Sequence, residues 1–342
     1  MILLDPLYDL PDTSSEPDRY DISSLEEALR NSLRARHLYT TSSGRSGLRS
    51  ALTALKIKMG DKLAVPAYTY CSVIEEVVSA GATPVLVDVD EDTYNIRPES
   101  LRQVLAQEEG ITGVIVSHLF GQCANMQSLV GITRDAGLLL IEDCGGSFGS
   151  AHKEQLAGTF GDIAVFSFAH GSAIHVGHGG AVVARSEETG ERLSQMLTER
   201  MDPRYTRLAR ERLRNVLTAN ARRRYNAVYY YTRIDSPYVS VPREGCRCFH
   251  IYTRYILRVR EVQTFIAHMR RRGVEASVPG PSLLSEYFHE AKSPILCRSA
   301  ERAARETVCI PVHEQLSREQ LERVAEAVAQ YSPGVHGRSD SH

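Results

Sequence analysis

A strand-like segment that ends in two carboxylates constrains this chain most. Residues 137 to 141 form a short apolar run, Gly-Leu-Leu-Leu-Ile, which predicts a buried β-strand. Glu142 and Asp143 follow immediately. Open α/β sheets carry their ligand sites at the carboxyl ends of the strands, so Asp143 is the first candidate functional residue. Two further strand-like runs, 162–168 and 181–184, enclose a loop rich in Gly, Ser and His.

Strand-like and helix-like patterns alternate as far as residue 185. The predicted strands before the acidic pair are residues 62–66, 83–90 and 113–122. The predicted helices that alternate with them are 48–55, 73–79, 99–106 and 127–136. This alternation predicts a mainly parallel sheet with helices on both faces.

Composition excludes several classes of protein. The chain has 342 residues and a net charge of −2, which indicates neither a nucleic-acid-binding nor a membrane-surface protein. No apolar run reaches membrane-spanning length, and the amino terminus lacks a signal-peptide pattern. Seven scattered cysteines are typical of reduced thiols, so we expect a cytoplasmic protein with no metal site.

An arginine-rich segment, residues 199–233, contains Tyr229-Tyr230-Tyr231. Basic residues interleaved with aromatics are also found in nucleic-acid-binding proteins. Because the rest of the chain balances this charge, we favour a solvated helix or an interface arm and expect no nucleic-acid partner.

A small-residue turn precedes the first core helix. Residues 42–47, Ser-Ser-Gly-Arg-Ser-Gly, lead into the periodic run 48–55. The free N–H groups and the positive dipole end of such a helix attract anions. Many helices begin this way, so the turn by itself is only a candidate anion site.

In this order, the motifs resemble those of the DegT/DnrJ/EryC1/StrS sugar aminotransferases, which are pyridoxal-phosphate enzymes of fold type I. The matching residues are Asp143, Gly161-Asp162, Phe166-Ser167-Phe168 and the glycines of 177–180. The resemblance covers residues 40–186 and 247–331 and leaves the middle segment unmatched. It implies a type I aminotransferase fold: a mainly parallel, seven-stranded sheet with helices on both faces, and a smaller C-terminal α+β domain.

The resemblance, together with the composition of the two terminal segments, suggests four segments. They are an N-terminal arm and helix (1–38), a large α/β domain (39–240), a small domain (241–331) and a disordered tail (332–342). It also implies a homodimer whose active sites lie near the interface.

The resemblance also implies a set of cofactor-binding residues. The turn would hold the cofactor phosphate, Tyr70 would stack on the pyridine ring, and Asp143 would pair with the ring nitrogen. The alternatives are a core aromatic for Tyr70 and a loop-capping carboxylate for Asp143. The phosphate-binding residues of this set are Ser43, Gly44, Arg45, Ser46 and Ser167.

One position departs from the family pattern. Counted from Phe166, the family's Schiff-base lysine falls on Ser172, and a hydroxyl cannot form an imine. We therefore expect a lyase-, isomerase- or cyclase-like enzyme and not a classical aminotransferase. Pyridoxal or pyridoxamine phosphate would be bound non-covalently or not at all.

Histidines crowd the loop around Ser172. Histidine titrates near neutrality, so His170 and His175 are candidates to carry the proton that a lysine would carry. We predict these two, Ser172 and His118 as catalytic residues. Purely structural histidines, or a metal site that includes His178, are the alternatives.

Two functions remain open. The first is an enzyme of sugar-nucleotide or secondary metabolism that performs acid–base chemistry, such as elimination, isomerisation, cyclisation or condensation, on a small carbonyl or amine compound. The second is a non-catalytic pseudo-aminotransferase that assists an active paralogue.

Overall fold

A computed structural model describes residues 1–6, 22–288 and 291–333. Residues 7–21 of the predicted N-terminal arm and helix, and residues 334–342 of the predicted tail, lie outside these residues.

Fifteen strands and eleven helices make up the described structure. The strands are β1 (His37–Thr41), β2 (Lys62–Pro66), β3 (Tyr68–Thr69), β4 (Thr83–Val87), β5 (Ile111–Ser117), β6 (Leu139–Asp143), β7 (Ala151–His152), β8 (Gln155–Leu156), β9 (Ile163–Ser167), β10 (Gly180–Ala184), β11 (Val239–Ser240), β12 (Cys248–Phe249), β13 (Tyr255–Val259), β14 (Ser282–Leu283) and β15 (Thr307–Ile310). The helices are α1 (Ile22–Leu33), α2 (Gly44–Ala54), α3 (Cys71–Ser79), α4 (Pro98–Gln107), α5 (Met126–Asp135), α6 (Glu187–Met196), α7 (Thr206–Arg233), α8 (Val262–Arg271), α9 (Leu284–Tyr287), α10 (Arg298–Glu306) and α11 (Arg318–Ala329).

Seven strands form the central sheet, in the order β1-β10-β9-β6-β5-β2-β4. The neighbours from β4 to β9 are parallel, whereas β10 is antiparallel to both β9 and β1. The predicted mainly parallel sheet is therefore confirmed, with one strand reversed.

Side chains of the sheet alternate between two apolar layers, as the period of a strand requires. In β2, Ala64 packs in the layer of α1, α4, α5 and α7, while Leu63 and Val65 pack in the layer of α2, α3 and α6. Each fully buried Leu or Val stabilises the fold by about 1.5–3 kcal/mol. These two layers fix the sheet and hence the edge at which the parallel strands end.

The reversed strand β10 brings the histidine-rich loop back to that edge. Ser167, the last residue of β9, pairs with Gly180, the first residue of β10. The connecting residues 168–179 therefore begin and end beside the carboxyl end of β6, where Asp143 lies.

A second, smaller sheet, β11-β13-β15, packs against α8 and α11 around its own apolar cluster. Helix α7 joins it to the central sheet. Its Tyr230 hydroxyl donates to the Pro311 carbonyl at 2.8 Å, and its Asn220 amide donates to the Phe148 carbonyl at 3.2 Å. Among the described residues, no helix is both long enough and apolar enough to cross a bilayer.

Candidate active site

A cavity of about 220 Å³ lies where β6 and β9 end and α2 begins. Its wall includes Gly44, Tyr70, Asp143, Ser167 and His170, all predicted as site residues or as part of the anion turn. Parallel strands end at one edge, and so residues far apart in sequence meet there.

The anion turn begins helix α2 with a capping box. The Ser43 hydroxyl accepts from the Ser46 backbone N–H at 3.0 Å, and the Ser46 hydroxyl accepts from the Ser43 N–H at 3.0 Å. The N–H groups of Gly44 and Arg45 have no intrahelical partner, because they belong to the first turn. They are the donors that an anion at this helix end would use.

Gly44 brings the helix end close to β9. A Cβ atom at this position would lie 2.9 Å from the Cβ atom of Ser167, which is too close for any side chain. The glycine therefore lets the Ser167 hydroxyl and the free N–H groups of α2 share one side of the cavity. The hydroxyl of Ser167 itself accepts from the Ala169 N–H at 3.2 Å.

The Arg45 guanidinium is engaged by acidic residues. It forms ion pairs with Glu75 at 2.6 Å and with Glu76 at 2.5 Å, and Arg49 shares the Glu76 carboxylate. The backbone N–H is thus the group of Arg45 best placed for the predicted phosphate contact.

Asp143 ends β6 and lines the cavity. Its carboxylate accepts from the Gly145 N–H and from the Ser117 hydroxyl, each at 3.1 Å. Burial raises the pKa of Asp143, and these two hydrogen bonds together with His118 only partly oppose the shift. A cationic or N–H group in the cavity would stabilise the carboxylate. The prediction overlooked Ser117, although a hydroxyl at a strand's carboxyl end is a recognisable signal.

Tyr70 stands at the start of α3 and is 42% exposed. Its ring lines the cavity, and a Cβ atom at Gly280 would lie 2.7 Å from it. The ring is therefore available to a flat ligand and is not a fully packed core aromatic.

The histidines of the loop take different positions. His170 lines the cavity, and His175 lies behind it with the ring centroids 4.4 Å apart. Burial, followed by the proximity of His170, lowers the pKa of His175 to about 4, so His175 is neutral at neutral pH. His178 stacks on Tyr205 at 4.8 Å.

Ser172 does not line the cavity. Its hydroxyl lies 2.8 Å from the Ala169 carbonyl and 2.9 Å from the Ile174 carbonyl, and its side chain is buried. A hydroxyl with this environment closes a turn of the loop. The structure therefore gives no geometric support for the predicted catalytic role of Ser172.

His118 also lies away from the cavity, on the opposite side of the end of β6. Its Nδ1 accepts from the Ala124 N–H, so its Nε2–H donates to Glu142, each at 3.0 Å. Both ring nitrogens are thus used within the protein. The structure places His118 as a buried support for the strand that carries Asp143, and not beside a ligand.

Glu142 is a hub of backbone hydrogen bonds. Its carboxylate accepts from the N–H groups of Gly158, Phe160 and Gly161 at 2.7–2.8 Å, besides the bond from His118. With Cys144, these side chains place three potential metal ligands within 4.8 Å of one another. Because the protein already uses the carboxylate and the imidazole fully, the cluster is a hydrogen-bond network.

The sequence contains five lysines, and all of them lie in the described part of the chain. None is among the residues that line the cavity. They lie before β2 and at its start, in the β7–β8 hairpin and beside β4: Lys56, Lys58, Lys62, Lys153 and Lys292.

Comparison with known proteins identifies the family. The model of the DegT/DnrJ/EryC1/StrS aminotransferase family matches residues 20–329. The chain is 28% identical, over 91% of its length and 90% of the relative's, to the dTDP-3-amino-3,6-dideoxy-alpha-D-galactopyranose transaminase of Aneurinibacillus thermoaerophilus.

Solved structures agree. DesV of S. venezuelae, crystallised with a ketimine intermediate, superposes with a TM-score of 0.86 at 26% identity, covering 93% of this chain and 91% of its own. A sugar aminotransferase of Streptococcus pneumoniae, known in a PLP form and a PMP form, superposes with a TM-score of 0.82 at 19–20% identity. Each comparison covers 90% of this chain and 89–90% of that one. The type I aminotransferase fold is thereby confirmed.

These relatives correct one prediction. The expectation of a lyase-, isomerase- or cyclase-like enzyme, and not an aminotransferase, is wrong, because relatives that match most of the chain are named as transaminases or aminotransferases. That expectation rested chiefly on Ser172, where the family pattern has the Schiff-base lysine. On the extent of the match and the shared fold, the chain belongs to the DegT/DnrJ/EryC1/StrS aminotransferase family.

Proposed function

We propose that this protein transfers an amino group to a nucleotide-linked keto sugar, with pyridoxal or pyridoxamine phosphate held non-covalently and His170 as the proton carrier. One observation carries the proposal: the wall of the cavity contains a histidine, and all five lysines lie elsewhere.

The cavity fits the phosphate end of the cofactor. Gly44, Arg45 and Ser167 line the cavity at the positive end of the α2 dipole, where the N–H groups of Gly44 and Arg45 have no partner within the helix. Ser167 packs directly against Gly44, where a Cβ atom would not fit, and so these donors lie close together. These three residues would hold the phosphate.

The cavity also offers partners for the pyridine ring of the cofactor. Among the described residues, the hydrogen-bond donors to the Asp143 carboxylate are the Gly145 N–H and the Ser117 hydroxyl, both neutral, and a protonated pyridine nitrogen would supply a cationic partner. Tyr70 offers an exposed ring for stacking. When bound, the cofactor supplies the amino group and an electron sink.

His170 is the candidate for moving the proton. Imidazole can accept and donate a proton near neutral pH, and the described residues that line the cavity include His170 but no lysine. His175, which stays neutral, packs behind it and limits the directions that the His170 ring can take. Transfer of a proton to or from the substrate carbon is thus assigned to His170.

The proposed substrate class follows from the relatives. The Aneurinibacillus relative is named for an amino sugar linked to dTDP. Amino transfer onto a sugar requires a carbonyl group at the position that receives nitrogen. A nucleotide-linked keto sugar satisfies both conditions.

The central test is spectroscopic and uses the purified full-length protein. With added pyridoxal phosphate we expect an absorbance band that dialysis removes and that borohydride does not fix to the protein. Pyridoxamine phosphate at about a hundredfold its dissociation constant should add about 2.7 kcal/mol to the free energy of unfolding. Pyridoxal found tethered to any lysine by mass spectrometry would refute non-covalent binding.

A second measurement separates the enzyme from a non-catalytic partner. A protein loaded with pyridoxamine phosphate should convert it to the pyridoxal form when mixed with a panel of dTDP- and UDP-linked keto sugars. If it binds the cofactor, converts none, and instead alters the activity of a co-purified active aminotransferase, the pseudo-aminotransferase alternative replaces our proposal.

A further inference from the structure

The first six residues form a strap across the small domain, and we refer to residues 1–6 as the N-terminal strap. Its Ile2 N–H donates to the Gly273 carbonyl at 2.7 Å, and its Leu4 N–H donates to the Glu275 carboxylate at 2.9 Å. These bonds place the end of the strap beside a polar space behind the histidine-rich loop. There the Asp5 carboxylate forms an ion pair with Arg254.

The Asp5–Arg254 contact has the geometry of carboxylate recognition. The Nη1 and Nη2 atoms of Arg254 donate to the two carboxylate oxygens of Asp5, the second at 3.1 Å. Such fork-like pairs are specific for planar anions. The Arg254 side chain is only 22% exposed, so it needs an anionic partner, whereas Asp5 is 39% exposed.

Arg254 lies directly behind the wall of the candidate active site. A Cβ atom at Gly171 would lie 2.7 Å from Nη2 of Arg254. Gly171 lines both the cavity and the polar space. Gly171 therefore lies between the guanidinium and the cavity.

Arginine and histidine side chains make up much of the wall of the polar space. It measures about 20 Å³, which is close to the volume needed for one water molecule. Its wall contains Arg223, Arg254, His175 and His313, and Asp5 is the one carboxylate among the described lining residues. Arg223 is already paired with Glu314 at 2.9 Å.

His313 adds an unused acceptor. Its Nε2 lies 3.2 Å from the Leu3 carbonyl, so this nitrogen carries the hydrogen and donates. Its Nδ1 is buried and has no hydrogen-bond partner among the described residues. A ligand that joins a carboxylate to a hydroxyl or ammonium donor would match both Arg254 and His313.

We propose that Arg254 is the recognition residue of a subsite for small carboxylate ligands, and that the Asp5 carboxylate occupies the position a ligand carboxylate takes. When a ligand carboxylate replaces that of Asp5, Arg254 can form the same two hydrogen bonds with the ligand. A tethered carboxylate competes at an effective concentration of about millimolar, so the strap sets the affinity of the subsite. The inference stands independently of the proposed amino transfer.

Calorimetric titration without cofactor tests it. Full-length protein and the variants Asp5→Asn and Arg254→Met are titrated with D-glucuronate and with L-glutamate, and with D-glucose as the neutral probe. We expect Asp5→Asn to bind at least one carboxylate roughly tenfold more tightly than the wild type. Arg254→Met should bind neither, and D-glucose should not bind to any of them.

The two acids distinguish a sugar carboxylate from an amino-acid carboxylate.

A matched control is Asp202→Asn, because Asp202 also pairs with an arginine, Arg204, through both of its oxygens. This variant should bind like the wild type. Equal carboxylate affinity in the wild type and Asp5→Asn, or undiminished binding in Arg254→Met, would overturn the subsite.

A measurement on the wild type covers the case in which a variant does not fold. Saturating carboxylate should displace Asp5 and accelerate hydrogen–deuterium exchange of the Ile2 and Leu4 amides, and D-glucose should not. Unchanged exchange in the presence of either acid contradicts the proposal, whether or not amino transfer is ever observed.

Discussion

The imidazole rings of His170 and His175 meet edge to face, with their centroids 4.4 Å apart. One ring lines the cavity, and the other, 6% exposed, lies behind it. Burial and the neighbouring His170 lower the pKa of His175 to about 4, so His175 is neutral at neutral pH. The two histidines therefore have separate tasks, which substitutions can distinguish.

His170→Gln should lower turnover by roughly 100- to 10,000-fold, the usual contribution of a general acid or base. Affinity for pyridoxamine phosphate should stay within about threefold, because the phosphate and ring contacts are on other residues. Single-turnover absorbance and calorimetry measure the two quantities. His178→Gln is the matched control, since His178 stacks on Tyr205 and does not line the cavity. Unchanged turnover in His170→Gln would remove His170 from the reaction.

His175 should make the fold sensitive to acid. Its folded-state pKa of about 4 lies below the unfolded value, so the unfolded chain binds more protons between the two. Stability should therefore fall as the pH drops from about 6.5 to about 4, with His175 contributing about 2 kcal/mol by pH 5. Urea unfolding at pH 7.5 and pH 5 measures this loss. His175→Gln should show a loss smaller by that amount, and an identical loss contradicts the prediction.

Gly44→Ala should weaken phosphate binding. The new Cβ atom would lie 2.9 Å from the Cβ atom of Ser167, so helix α2 and β9 must separate. We expect affinity for pyridoxamine phosphate to fall at least about tenfold and stability to fall by about 1–3 kcal/mol. Gly131→Ala is the control, because nothing lies within 4 Å of its Cβ position in α5. It should stabilise the protein by about 0.5–1 kcal/mol and leave affinity unchanged.

Asp143→Asn should separate ring recognition from phosphate recognition. The raised pKa of Asp143 means that the folded state holds its proton longer than the unfolded state. Protonated Asp143 therefore contributes to the free energy of unfolding of the wild type. This contribution is lost as the pH rises from about 3.9, the unfolded pKa, through the higher folded-state pKa. Asparagine does not titrate, so the variant lacks this pH-dependent contribution.

The same variant should bind pyridoxamine phosphate more weakly, because the ring nitrogen loses its carboxylate partner. Inorganic phosphate should bind as in the wild type. Equal weakening of both ligands would mean that Asp143 supports the whole cavity and does not recognise the ring.

Glu142→Gln should destabilise the fold by about 3 kcal/mol or more, since it removes a buried charge that accepts from three N–H groups and His118. Urea unfolding measures the cost. Glu154→Gln, at an exposed position in the turn between β7 and β8, should change stability by less than about 0.5 kcal/mol. A small cost at Glu142 would show that the hub is dispensable.

Local sequence patterns determined the core elements. The apolar run before Asp143 and the small-residue turn before α2 were identifiable because strand period and helix-start chemistry depend on neighbours along the chain. The reversal of β10 was not predicted, since it depends on how residues 168–179 pack against β6. Nor was the strap, because the Asp5–Arg254 pair joins residues 249 positions apart.

The sequence by itself determined the alternating sheet, the anion turn and the absence of lysine from position 172. Tertiary structure alone decided that His170 faces the cavity, that Ser172 closes a turn and that His118 supports Glu142 from the far side. The physical reason is that a periodic pattern specifies which face of an element is buried, whereas the direction of a loop side chain depends on distant atoms that fill or leave the space around it.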